Sequence, residues 1–323
     1  MSRKVDRRGF LKTTAGAVAG ITVLGEGKVT SVWGREAESS APTKMPRRPL
    51  GKTGHSVCLF SLGGQSTLEQ AGTEEASVAI IHRALDLGVN YVDTAAAYGN
   101  GISETYIGKV MKTRRKEVYL ASKTQDRSYE GSMRLLERTL KNLQTDHLDA
   151  WQIHHVGSQE DLYRMFAADG VIKAMEKARS EKIIKYIGIT GHRDPFVLAK
   201  AIKLYEFDTI LMALNAADRH HNSFIENLLP LAVEKKMGII GMKIPARGRI
   251  FREGGLTTME QAMRYTLSFP VSTVIVGIDT LPHLEENIGI ARSFSPLKST
   301  EIALLEEKTK SYFEDATWFK SRG

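Results

Sequence analysis

Between residues 46 and 291, short apolar runs alternate with longer amphipathic stretches. The runs fall at 57–62, 89–93, 118–122, 148–154, 184–189, 209–213, 238–243 and 273–277. They are near-continuous in apolar residues, the pattern of parallel strands buried on both faces. The stretches between them, at 74–87, 103–111, 131–143, 170–181, 195–204, 223–236, 258–267 and 282–291, carry apolar residues at helical spacing. Cap-type residues precede two of these, Thr73 before Glu74-Glu75 and Asp194 before Pro195.

Eight strand–helix units without a break predict an α/β fold, a closed (β/α)8 TIM barrel. An open doubly wound sheet is the alternative. Such a sheet normally carries G-x-G-x-x-G after its first strand, and Leu62-Gly63-Gly64-Gln65-Ser66 does not supply it. Ahead of the first run, residues 45–56 read as a β-hairpin turning at Gly51-Lys52-Thr53-Gly54, placed to cap the N-terminal mouth. The Gly-Lys-Thr is not a phosphate loop, because Pro46 stands where that pattern needs its first glycine. After the eighth unit come a helix at 299–312 and a tail ending with Trp318 and Phe319.

The size fits this picture: 323 residues accommodate a barrel of roughly 250 with extensions. The chain is 42% hydrophobic and 25% charged, enough to bury a large core. Cys58 is the single cysteine, which excludes an internal disulfide and a cysteine-based metal site. Of the net charge of +8, residues 1–41 hold +3, from seven basic and four acidic side chains. The chain therefore divides into a basic leader at 1–41 and a body at 42–323. No basic run carries interleaved aromatics, so nucleic acid is not an expected partner. The mildly basic body suits an anionic ligand.

In such a barrel, chemistry gathers at the C-terminal strand ends. The second strand ends at Asp93, with Tyr98 soon after; the third ends at Lys123 and the fourth at His154. An acid, a phenol, an amine and an imidazole thus face one pocket. A carbonyl accepting hydride builds negative charge on oxygen and needs a proton. A phenol has a pKa near 10, and a neighbouring ammonium lowers it. Lys123 supplies that charge, Asp93 holds Lys123, and His154 orients the carbonyl. No metal is required. Each residue alone has a plainer role as a cap, a rim side chain or a core histidine; their shared placement favours the joint one. His155 follows directly and points the other way, either to the rim or to substrate.

The strings V-N-Y-V-D-T-A…Y-G, L-A-S-K and L-D-A-W-Q-I-H, with the opening R-x-L-G-K-T-G-H-S-V, resemble the aldo-keto reductase family in order and spacing. The resemblance covers Pro46 to about Ala291. It implies NAD(P)H-dependent reduction of an aldehyde or ketone, with Tyr98 as proton donor, Asp93 and Lys123 tuning it, and His154 orienting substrate. It also implies a cofactor lying across the barrel mouth. Thr190, with Asn215 as the nearest amide, stands at the carboxamide position. Lys243, Arg247 and Arg249 form a basic loop suited to pyrophosphate. Glu286 and Asn287 match the adenine-binding pair, on a helix whose start near Pro282 offers free N–H groups. Gly277 and His283 stand where the family's 2′-phosphate clamp carries cations. NADP(H) is favoured and NAD(H) stays open. Tyr163, Met165, Phe166, Trp318 and Phe319 are expected to line an apolar substrate pocket. The other readings are a non-catalytic, regulatory cofactor-binding protein and a Schiff-base barrel enzyme using Lys123.

Residues 4–12, KVDRRGFLK, precede a mildly apolar stretch from residue 13 to 24. That stretch is too short to span a bilayer, which needs about 20 apolar residues. The Arg7-Arg8 pair with Phe10-Leu11 resembles a twin-arginine export signal. It implies the twin-arginine machinery as a partner and export to the periplasm in the folded state, with cofactor loaded beforehand in the cytoplasm.

Overall fold

A computed structural model describes residues 44–321 of the chain. The export signal expected at 1–41 lies outside the described residues. Among the described residues ten strands form: β1 Arg47–Pro49, β2 Ser56–Cys58, β3 Phe60–Ser66, β4 Tyr91–Asp93, β5 Tyr119–Thr124, β6 Leu148–Ile153, β7 Ile184–Gly191, β8 Thr209–Ala213, β9 Gly238–Met242 and β10 Thr273–Ile278. β3 to β10 close into a parallel barrel in chain order, with β10 beside β3. Helices connect the strands. This is the (β/α)8 barrel, and it excludes the open sheet.

Alternation along each strand sorts the side chains. Trp151 and Ile153 of β6 face the outer core shared with the helices. Tyr91, Tyr119, Ala121, Ala150, Leu211, Ile240 and Ile275 form a separate inner cluster, the barrel's own filling. β1 and β2 pair antiparallel as a hairpin, and its Leu50 is buried in that inner cluster. Gly51 lies against the chain entering β9; a Cβ there would come within 2.2 Å of the Gly238 nitrogen. The Tyr186 hydroxyl donates to the Thr53 carbonyl at 2.5 Å. The hairpin therefore caps the N-terminal end of the barrel and leaves the other end for chemistry.

Several element limits differ from the sequence reading. The first run, 57–62, is two strands, because it completes the hairpin before β3 begins. The stretch 223–236 is two short helices, Phe224–Asn227 and Leu229–Glu234, since Pro230 cannot continue the first. The expected loop after β6 contains a helix, Gln159–Met165, started by a capping box between Ser158 and Asp161. The expected final helix ends at Thr309, and short turns follow at Lys310–Tyr312, Phe313–Ala316 and Trp318–Lys320. Asp194 caps its helix through the Phe196 and Val197 amides. Thr73 does not cap: its hydroxyl donates to the carbonyls of Thr67 and Gln70.

Candidate active site

Register places the strand ends that matter side by side. Asp93 of β4 pairs with Ala121 of β5, and Lys123 pairs with Gln152 of β6. Gln152 is fully buried, and the charged pair Asp93 and Lys123 almost completely so. The Lys123 ammonium forms an ion pair with Asp93 Oδ2. It also donates to the Thr94 carbonyl at 2.7 Å and to the Tyr98 hydroxyl at 3.5 Å. Gln152 Nε2 donates to the other Asp93 oxygen at 2.8 Å. Tyr98 starts a tight turn, Tyr98–Gly101, in which Gly99, Asn100 and Gly101 all have positive φ. That turn swings the phenol back over Lys123, whose Nζ lies 4.9 Å from the ring centroid. The His154 ring meets the Tyr98 ring edge-on, centroids 5.6 Å apart. The four residues expected to act together do converge.

Their electrostatics correct one expectation. Burial raises the Tyr98 pKa, and the Lys123 charge offsets this only in part, so the phenol sits above its usual 10.0 rather than below. Burial also opposes charge on Lys123, yet Asp93 and Tyr98 outweigh it and lift the ammonium above 10.5. Burial lifts Asp93 too, against the pull of Lys123 and Gln152. His154 is driven well below 6.5 by burial and then by Lys123, so its imidazole is neutral near pH 7.

A cavity of about 780 Å³ opens beside this group, in the size range of ligand sites. It forms over β3 and β10 because their ends carry glycine: Gly63 pairs with Gly277 in register. Tyr98 and Asp93 stand on its wall, as do Lys243, Arg247, His283, Glu286 and Asn287. Thr190, Asn215 and Arg249 do not. The Asn215 amide is consumed internally, donating to the carbonyls of Lys243 and Ala316 and accepting from the Ala217 amide. The Thr190 hydroxyl accepts from the His155 amide at 3.0 Å. Arg249 is paired with Asp315 at 2.7 Å, where Arg252 joins it. The expected free N–H groups at the last barrel helix, Leu281–Arg292, are also mostly taken. Pro282 has none, His283 donates to Thr280 Oγ1 at 3.4 Å and Leu284 to the Thr280 carbonyl.

The expected apolar lining is placed elsewhere. Tyr163 is 73% exposed, while Met165 is fully buried, and neither they nor Phe166 reach the cavity wall. Phe319 is buried, anchored by the next residue. The Lys320 ammonium donates to Asp218 Oδ1 at 2.7 Å and to the His221 carbonyl at 2.6 Å. Two further residues join the site unforeseen. Gln152 shares a face of β6 with His154, two positions on; this period was legible and its use was not. His192 lies against His155, Nε2 to Nδ1 at 2.8 Å. Burial, then Lys243, holds His192 at about 3, so it is neutral. Its Nδ1 faces the Phe319 carbonyl at 3.4 Å and must carry the proton. Nε2 then accepts from His155 Nδ1.

The residues present fit a dinucleotide. Lys243 and Arg247 face the cavity with no carboxylate partner among the described residues. Asn287 is 4% exposed, stands on the wall, and its amide has no hydrogen-bond partner among the described residues. Its side-chain amide is therefore available to bond a ligand that enters the cavity.

Comparison with known proteins agrees. The sequence model of the Aldo/keto reductase family matches residues 59–254. "Uncharacterized oxidoreductase YqkF" of Bacillus subtilis is 28% identical over 313 residues, spanning 82% of this chain and 97% of its own length. "Methylglyoxal reductase YeaE" of Escherichia coli is 30% identical over 258 residues, spanning 74% and 86%. Among solved structures, the holo form of aldo-keto reductase AKR11C1 from Bacillus halodurans superposes with a TM-score of 0.70 at 26% identity, covering 82% of this chain and 96% of that one. The chain belongs to the aldo/keto reductase family and is an NAD(P)-dependent oxidoreductase.

Proposed function

We propose that the protein reduces an aldehyde or ketone to an alcohol with NADPH, Tyr98 giving the proton. The observation that carries this reading is the buried Asp93–Lys123 pair held against the Tyr98 hydroxyl at the wall of a dinucleotide-sized cavity. A bound reduced nicotinamide supplies the hydride. The Tyr98 hydroxyl donates a hydrogen bond to the carbonyl oxygen and yields its proton as charge builds there. Its raised pKa keeps that proton in place across the neutral range. Lys123 stabilises the phenolate left behind, and Asp93 with Gln152 fixes the Lys123 ammonium. Neutral His154 orients the carbonyl. Arg247 would hold the cofactor phosphates and Asn287 the adenine end.

Titration of the purified protein with NADPH and NADH, followed by protein fluorescence, tests the cofactor assignment. NADPH is expected to bind more tightly; equal or tighter NADH binding would reassign the cofactor. The Arg7-Arg8 pair supports a second proposal, folded export by the twin-arginine route after cytoplasmic cofactor loading. Fractionation of cells expressing the full chain or an Arg7→Lys/Arg8→Lys variant checks it. The variant should stay cytoplasmic, and an unchanged distribution sinks the idea.

A further inference from the structure

The His154 ring meets Tyr98 edge-on but makes no hydrogen bond among the described residues. Its placement therefore depends on the backbone that carries it. That backbone leaves the barrel at once. The His154 amide still donates to the Thr124 carbonyl at 2.8 Å. His155 then has φ 56°, a left-handed conformation in which a non-glycine residue is strained and which persists where its surroundings hold it. Its amide donates to Thr190 Oγ1 at 3.0 Å, and its Nδ1 to His192 Nε2 at 2.8 Å. The two carbonyls are held by one side chain. Arg127 Nη2 donates to the His154 carbonyl at 2.8 Å and to the His155 carbonyl at 3.2 Å. Neither carbonyl has another donor among the described residues.

Arg127 is itself fixed from the far side. Its Nε donates to Asp161 Oδ1 at 2.8 Å, and its Nη1 to the Gln125 carbonyl at 3.2 Å. The two side chains are only 14% and 22% exposed, so the pair differs from the solvated surface bridges that contribute little. Asp161 Oδ2 accepts from the Gly157 and Ser158 amides and the Ser158 hydroxyl. Burial opposes charge on Asp161, but the Gly157 amide, Arg127 and Ser158 outweigh it and hold the carboxyl below its usual range. One guanidinium thus joins the loop after β5, the end of β6 and the capped start of the helix Gln159–Met165. None of these groups stands on the wall of the cofactor cavity. A planar fork bonding in fixed directions sets orientation as well as distance, which an ammonium does not.

We infer that Arg127 is a positioning residue for the carbonyl reduction: by holding the His154 and His155 carbonyls it fixes where the His154 imidazole meets the substrate oxygen, and Asp161 fixes Arg127 in turn. The inference rests on the reductase reading above. Because Arg127 acts through His154, its effect on turnover requires that imidazole.

The test is a double-variant cycle in the full chain, with NADPH and an aldehyde that the native protein reduces. Arg127→Ala is expected to lower kcat/KM by about 10- to 100-fold, with NADPH affinity unchanged within a few-fold. Added to His154→Ala, the same substitution should cost no more than about threefold. Arg127→Lys keeps the charge without the fork and should fall nearly as far; it serves in the cycle where the alanine variant does not fold. Losses that multiply in the double variant overturn the inference, as does native turnover in Arg127→Ala or Arg127→Lys. NMR of isotope-labelled histidine rings reads placement without turnover. The His154 resonance, assigned by its loss in His154→Ala, lies beside the Tyr98 ring and should move in the Arg127 variant. If it moves while the native protein reduces no carbonyl, the positioning stands and the reductase reading fails. An unmoved resonance overturns the inference whatever the turnover.

Discussion

At the residue scale, the site depends on how charge is compensated in a nearly water-free layer. Asp93 and Lys123 neutralise each other, and the remaining carboxylate oxygen is satisfied by Gln152. Removing one partner strands the other. Lys123→Met is expected to cost about 3–5 kcal/mol of stability, with much of it recovered in the Asp93→Asn/Lys123→Met double variant. Urea denaturation measures both, and a single variant within about 1 kcal/mol of the native protein contradicts this reading of the pair. The Gln152 Oε1 atom has no partner among the described residues, so this polar layer is not closed. At Tyr98 two effects on the phenol oppose each other. A lysine beside a phenol does lower its pKa, but burial acts in the opposite direction and is the larger effect here. The outcome is a phenol that keeps its proton near neutral pH rather than a pre-formed phenolate.

At the element scale, the strands were legible because a doubly buried parallel strand leaves a continuous apolar run. The placement of Asp93, Lys123 and His154 was legible for the same reason, since each ends such a run. The cofactor contacts were less so. Asn215 carries the right chemistry, yet its amide is spent on the Lys243 and Ala316 carbonyls. Arg249 is likewise neutralised by Asp315, 66 residues away in sequence. Long-range pairing of this kind leaves no local trace, and neither did the His155–His192 contact. Tyr98 itself depends on the element that carries it. Gly99 has φ 55°, and a Cβ there would lie 2.3 Å from the Glu69 carbonyl oxygen. Gly99→Ala should therefore cost about 1–3 kcal/mol and lower kcat more than it weakens NADPH binding. Unchanged stability and unchanged kcat would show that the turn does not position the phenol.

At the scale of the whole molecule, the hairpin closes one end of the barrel and the anchored C-terminal tail packs over part of the other. Phe319 and Lys320 bring the tail against β7 and the loop after β8, which leaves the cavity over β3 and β10. Neutral histidines beneath the tail tie the molecule's stability to pH. His154 and His192 have folded-state pKa values below their unfolded value of about 6.5, His192 at about 3. The unfolded chain gains protons there first, so stability falls as pH drops below about 6.5, by up to about 1.4 kcal/mol per pH unit for each histidine. Denaturation midpoints of the native protein and His192→Gln between pH 7 and 4 check this. The variant should show the shallower decline; equal slopes would mean that His192 is protonated in the folded state.

The central claim is that Tyr98 is the proton donor of an NADPH-dependent carbonyl reductase. It is tested most directly by NADPH oxidation with an aldehyde panel in the native protein and in Tyr98→Phe, alongside NADPH binding by fluorescence. The account predicts turnover by the native protein, a fall in kcat of about 10²–10⁴-fold in the variant, and NADPH affinity unchanged within a few-fold. A variant that binds NADPH and still turns over at the native rate would contradict it.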